Sequence, residues 1–163
     1  MTDDRESSLI GPGSAYSDVS IYVDAEAAPR VLGWLRDALG LNKEDGAELT
    51  VGPVRVYGAP NDYSTGRHAH PCDFLQWPTV LECQAPAESE PGAVAAAVTI
   101  VLETLWCGGW KAVAACDFED ELPARGGSER YPLPSPSEGL SQVRMGRWKS
   151  LLVRGGKKKR NSA

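Results

Sequence analysis

Along residues 18–24 apolar and polar positions alternate strictly, with Val19, Ile21 and Val23 on one side, the pattern of a strand buried on one face. The period then lengthens. Val31, Leu32, Leu35, Ala38 and Leu39 recur at helical spacing, Pro29 suits a first turn and Gly40 is a good stop, so a helix is predicted over 26–39. After a polar turn at 42–46, Val51, Val54 and Val56 predict a second strand over 49–57, with Gly52 and Pro53 as a bulge or bend. Residues 58–73 show no period and are crowded with Gly, Pro, Asn, Asp and Ser, which predicts a long loop. Leu75, Trp77, Thr79, Leu81 and Cys83 alternate as a third strand, although Pro78 either delays regular pairing to Thr79 or puts the strand at an edge. Within 90–106, Val94, Val98, Val101, Leu102 and Leu105 share one helical face, with Ser89 as the N-cap and Gly108 and Gly109 as the stop. A last strand over 110–118 would set Ala112, Ala114, Cys116 and Phe118 on one face.

Strand, helix, strand, strand, helix, strand is the split βαβ order called ferredoxin-like. The expected fold is therefore an α+β sandwich, two helices on one face of a four-stranded, mainly antiparallel sheet. The other face would carry Tyr22, Arg55, Tyr57, Val80, Glu82, Val113 and Ala115. A sheet face without helices is either a contact surface or covered by something else, here the C-terminal segment, a second copy or a partner. The domain is expected over 17–123, preceded by a flexible segment at 1–16. A Pro/Gly/Ser-rich linker at 124–140 and a basic tail at 141–163 would follow it.

Charge sharpens this division. All 22 acidic residues lie at or before Glu138, while eight of the 17 basic ones fall between Arg144 and Arg160, so residues 1–140 carry −13 and residues 141–163 carry +8. Such a split points to a charged partner or to a tail that folds back on its own body. The first eight residues are polar and acidic rather than basic and apolar, no stretch approaches the ~20 apolar residues of a membrane span, and no Cys-x-x-Cys pair occurs. A cytoplasmic protein with reduced thiols is expected, Cys107 and Cys116 among them as small buried hydrophobes.

Three groups of residues are candidates for chemistry. His68, His70 and Cys72 alternate in the long loop and would project to one side of an extended segment, which makes a transition-metal site conceivable, although the spacing matches no paired-ligand signature. Asp117, Glu119 and Glu121, with Asp120 between them, continue the last strand as clustered carboxylates able to hold a hard cation, do acid/base work or face a basic partner. In the tail, Arg144, Arg147, Trp148 and Lys149 combine positive charge with an apolar side chain, suited to phosphate backbones, an anionic surface or the acidic body.

No phosphate-binding glycine loop or nucleophile elbow is present, and no catalytic residue or cofactor is assigned. The leading expectation is a non-enzymatic, acidic protein-binding module, of the size, charge and layout of small immunity or inhibitor proteins, with no diagnostic residue carrying a family. Tyr22, Tyr57, Asp117, Glu119, Asp120 and Glu121 would meet the partner, together with the basic residues of the tail. The first alternative is a nucleic-acid-associated regulator acting through the tail. RNA-recognition modules share the βαββαβ order, but Leu81, Glu82, Cys83 and Gln84 stand where their basic aromatic signature would be, and a −13 body repels phosphate. The second is a metal-dependent enzyme using His68, His70 and the 117–121 carboxylates.

Overall fold

The computed structural model describes residues 14–42, 47–64 and 73–132. Its elements run β1 (Asp18–Val23), α1 (Ala28–Ala38), β2 (Glu48–Val51), β3 (Val54–Pro60), β4 (Thr79–Gln84), α2 (Pro91–Cys107) and β5 (Ala112–Ala115). The strands form one antiparallel sheet in the order β2-β3-β4-β1-β5. The α+β class agrees with the expectation, but the sheet has five strands rather than four. The chain order thus departs by one strand from the βαββαβ of the ferredoxin-like layout.

The extra strand comes from Gly52 and Pro53. They form the two-residue turn of a hairpin in which Val51 pairs with Val54, not a bulge within one strand. Gly52 has φ +54° and proline holds its own φ near −65°, which suits the type II′ turn whose twist matches that of paired strands. A chain reversal keeps both Val51 and Val54 on the buried side, and so does the parity shift of a bulge. The apolar pattern is the same in either case.

Alternation decides the main core. Val19, Ile21 and Val23 of β1, Leu49 and Val51 of β2, Val54 and Val56 of β3, Leu81 and Cys83 of β4, and Ala112 and Ala114 of β5 all turn to the helical side. Val31, Leu32 and Leu35 of α1 and Val94, Val98, Val101, Leu102 and Leu105 of α2 pack against them in a single cluster. Both helices begin with a proline in the first turn, where its missing N–H costs nothing. Ser89 is not the cap of α2. The Ncap position falls on Glu90, directly before Pro91, and no side chain bonds the first turn there.

β4 starts at Thr79, directly after Pro78. Leu75 lies instead in a 3₁₀ turn, Phe74–Gln76. β5 ends at Ala115, short of the predicted Phe118, and the chain turns through residues 116–118 into a second 3₁₀ turn, Glu119–Glu121. Phe118 and Leu122, four residues apart, are buried by that turn.

The helix-free face is not open along its whole length. Tyr22 pairs across the sheet with Val80 on one side and Val113 on the other, and those two are only 7% and 1% exposed. Aromatic side chains cover this end. Tyr22 meets Phe74 edge-on at 5.6 Å, Phe74 meets Trp77 at 6.4 Å and Trp77 meets Tyr131 at 5.3 Å. Part of the cover therefore comes from residues just before β4 and from Tyr131.

The stretch beyond Pro123 begins with structure. Arg125–Arg130 form 3₁₀ turns along the outer edge of β5, with Gly126 and Gly127 buried. The Trp106 indole donates to the Ala112 carbonyl at 3.0 Å on that edge. A Cβ on Gly126 would stand 2.7 Å from the Ala114 carbonyl oxygen, and one on Gly127 2.6 Å from that of Ala112. Glycine lets the two backbones approach this closely, and the cover shields an edge strand that could otherwise pair with another chain.

Candidate binding surface

The helix-free face divides into an aromatic end and a polar end. Toward the polar end, Tyr57 pairs with Glu48 and Glu82, and Ser20 donates from its hydroxyl to the Glu82 carboxylate at 3.0 Å. One register step further, Arg55, Gln84 and Asp18 stand in line across β3, β4 and β1. A shallow depression of about 450 Å³ lies there, lined by Ser17, Asp18, Arg55, Gln84, Ala85 and Pro86. Tyr22 and Tyr57 share this face with β4 between them. Tyr22 belongs to the aromatic cover, whereas Tyr57 is half-buried among carboxylates.

The four carboxylates of the 117–121 segment lie on the turn after β5, not along a strand as predicted. The turn is tied to the chain's described start. Tyr16 stacks on Phe118 with centroids 4.5 Å apart, and its hydroxyl donates to Glu121. That bond raises the Tyr16 phenol above its ordinary value, with desolvation adding to it. Asp120 pairs with Arg125 at 2.9 Å, both side chains largely in solvent, which contributes little to stability. Asp117, Asp120 and Glu121 are exposed and Glu119 is half-exposed.

The other predicted sites fall elsewhere. His68, His70 and Cys72, and Arg144, Arg147, Trp148 and Lys149 in the tail, lie outside the described residues. Among the described residues no group of three or more His, Cys, Asp or Glu side chains is placed to hold a metal ion. No helix among them is long and apolar enough to cross a membrane.

Burial pushes the Cys83 thiol far above its usual range. Cys116 is raised to about 11, first by burial and then by Glu119, Asp117 and Glu121, against a hydrogen bond with the Phe118 backbone. The thiolate is the nucleophile, so at pH 8 about one Cys116 in a thousand is reactive. Alkylation of Cys116, followed by peptide mass spectrometry, is expected to climb about tenfold per pH unit from pH 8 to 10. A plateau reached by pH 9 would contradict the burial described.

Sequence reading missed Asn61, which organises the base of the long loop. Its Nδ2 donates to the carbonyls of Leu75 and Trp77 at 2.9 and 2.8 Å, and its Oδ1 accepts from the Tyr63 N–H at 3.0 Å. The last bond makes an Asx turn, and Asn-Asp directly after a strand is its signal in the sequence. No protein family, curated protein or solved structure matches this chain, so its surface is read from its own geometry and charge.

Proposed function

We propose that this chain is an acidic protein-binding module without catalytic activity, whose partner presents a basic surface. One observation carries the reading. The described residues hold 16 carboxylates against six arginine and lysine side chains, so pairing among them leaves an excess of ten negative charges. Lys111 pairs with Asp24 at 3.8 Å and Arg125 with Asp120 at 2.9 Å, which neutralises two of the 16 carboxylates. A field of one sign steers an oppositely charged partner and repels phosphate backbones. The exposed carboxylates at 117–121 add to that field beside the polar end of the sheet.

The test is affinity capture with the full chain, followed by reconstitution of the purified hit. Asp117→Asn, Glu119→Gln, Asp120→Asn and Glu121→Gln together are expected to weaken binding about tenfold or more, by analogy with charge pairs across other interfaces. Retention of nucleic acid in place of protein, or binding indifferent to the four substitutions and to salt, would count against the proposal.

A further inference from the structure

Two large apolar side chains stand in solvent on backbone segments that a single buried amide ties together. Tyr63 is 80% exposed and Leu75 49%, while Asn61, whose carboxamide bonds the backbone of both, is 7% exposed. The backbone of Asn61 adds two further ties, its N–H to the Pro78 carbonyl at 2.7 Å and its carbonyl to the Ser64 N–H at 3.0 Å. Leu75 faces out for a local reason. In the tight 3₁₀ turn, residues three apart eclipse, so Phe74 and Trp77 both reach the aromatic cluster and Leu75 is turned away from it.

Single exposed apolar residues are ordinary. Two whose backbone is tied to one satisfied polar scaffold are presented together, with less backbone ordering entropy to lose on binding. Asp62 and Asp73 flank them in the sequence, both at least partly exposed. We infer that Tyr63 and Leu75, with Asp62 and Asp73 beside them, form an interaction surface for a protein that presents lysine or arginine side chains around an apolar pocket.

Tyr63 is the main anchor, since tyrosine carries a large rigid area and leucine is seldom a hot spot. An anionic lipid surface or a nucleic acid would meet the two carboxylates and the ten-charge excess unfavourably. A second copy of the chain would bring the same carboxylates face to face. The inference rests on the protein-binding reading and adds to it an apolar anchor at a different place from the 117–121 turn.

The experiment pans a random-peptide phage library on the full chain and measures the enriched peptides in solution against variants. Peptides combining lysine or arginine with aromatic or aliphatic residues should be selected. Tyr63→Ala and Leu75→Ala should weaken them about tenfold or more. Ile100→Ala, at another exposed apolar residue on α2, should leave them unchanged. All three positions are open to solvent, and circular dichroism verifies that each variant folds. Basic peptides that bind both variants fully, but lose affinity when the four 117–121 carboxylates are neutralised, would overturn this inference and leave the binding function standing. Absence of basic peptides from the selection would overturn both. Self-association lost on Tyr63→Ala would assign the surface to a second copy and overturn the inference.

Discussion

Replacing Trp77 with alanine is expected to lower the unfolding free energy by about 3–5 kcal/mol, the usual cost of emptying a buried aromatic site. Trp77 is 4% exposed and sits between Phe74 and Tyr131 in the aromatic cover. It belongs to the face that the helices leave bare, so the loss would show that this face is a second core. With native stabilities of about 5–15 kcal/mol, such a change removes a large share of the total. Trp77→Phe separates packing from polarity. The indole Nε1 is buried with no hydrogen-bond partner among the described residues, and removing an unpaired donor relieves a penalty of about 1–3 kcal/mol that offsets part of the lost volume. Urea denaturation should therefore place Trp77→Phe much closer to the parent than Trp77→Ala. Equal and small losses for both would mean that the cover is loosely packed.

A second large effect is expected at the turn beside β5, where two neighbouring substitutions should act in opposite directions. Gly127 has φ +98°, and a Cβ there would lie 2.6 Å from the Ala112 carbonyl oxygen and 2.8 Å from the Trp106 ring. Gly127→Ala combines a left-handed backbone with a clash against main chain and should cost about 2–4 kcal/mol. Ala124 already occupies the left-handed region at φ +51°, so Ala124→Gly should stabilise by up to about 1 kcal/mol. Denaturation midpoints give both signs. Amide exchange at β5 in Gly127→Ala should quicken, because the cover over that edge loosens first. Unchanged β5 protection would contradict the role given to residues 125–130.

Period was a reliable guide where an element has one buried face. β1 and both helices follow from Val19, Ile21 and Val23 and from the stripes Val31 to Leu39 and Val94 to Leu105, because burial on one side forces the repeat, although Ala38 of the first stripe is exposed and Leu39 only half-buried. The β2–β3 hairpin was not legible, since bulge and reversal keep the same valines inside and only the backbone at Gly52 separates them. The alternation that ends at Phe118 predicts that the carboxylates at 117–121 continue the strand, and Leu122 keeps the same parity. Four residues also suit a helical turn, and that is what forms. Gly126 and Gly127 lie in a stretch whose composition predicts a linker. Composition signals flexibility, but here it reflects a close approach to the sheet.

The aromatic cover joins Tyr22, Phe74, Trp77 and Tyr131, four positions scattered over the chain that no local pattern connects. Tyr63 and Leu75 are brought together in the same long-range way, through Asn61. The acidic character of the proposed surface is plain from charge alone. Its apolar component needed the fold.

The proposed function is binding of a basic protein by an acidic surface of this domain. It is tested most directly by titrating the isotope-labelled full chain with the reconstituted partner and following backbone amide shifts at low and high salt. Perturbations should concentrate at residues 61–64, 73–77 and 117–121, with affinity falling steeply as the screening length shrinks from about 10 Å at 0.1 M to about 3 Å at 1 M salt. Perturbations confined to the outer faces of α1 and α2, with an affinity that salt does not change, would contradict it.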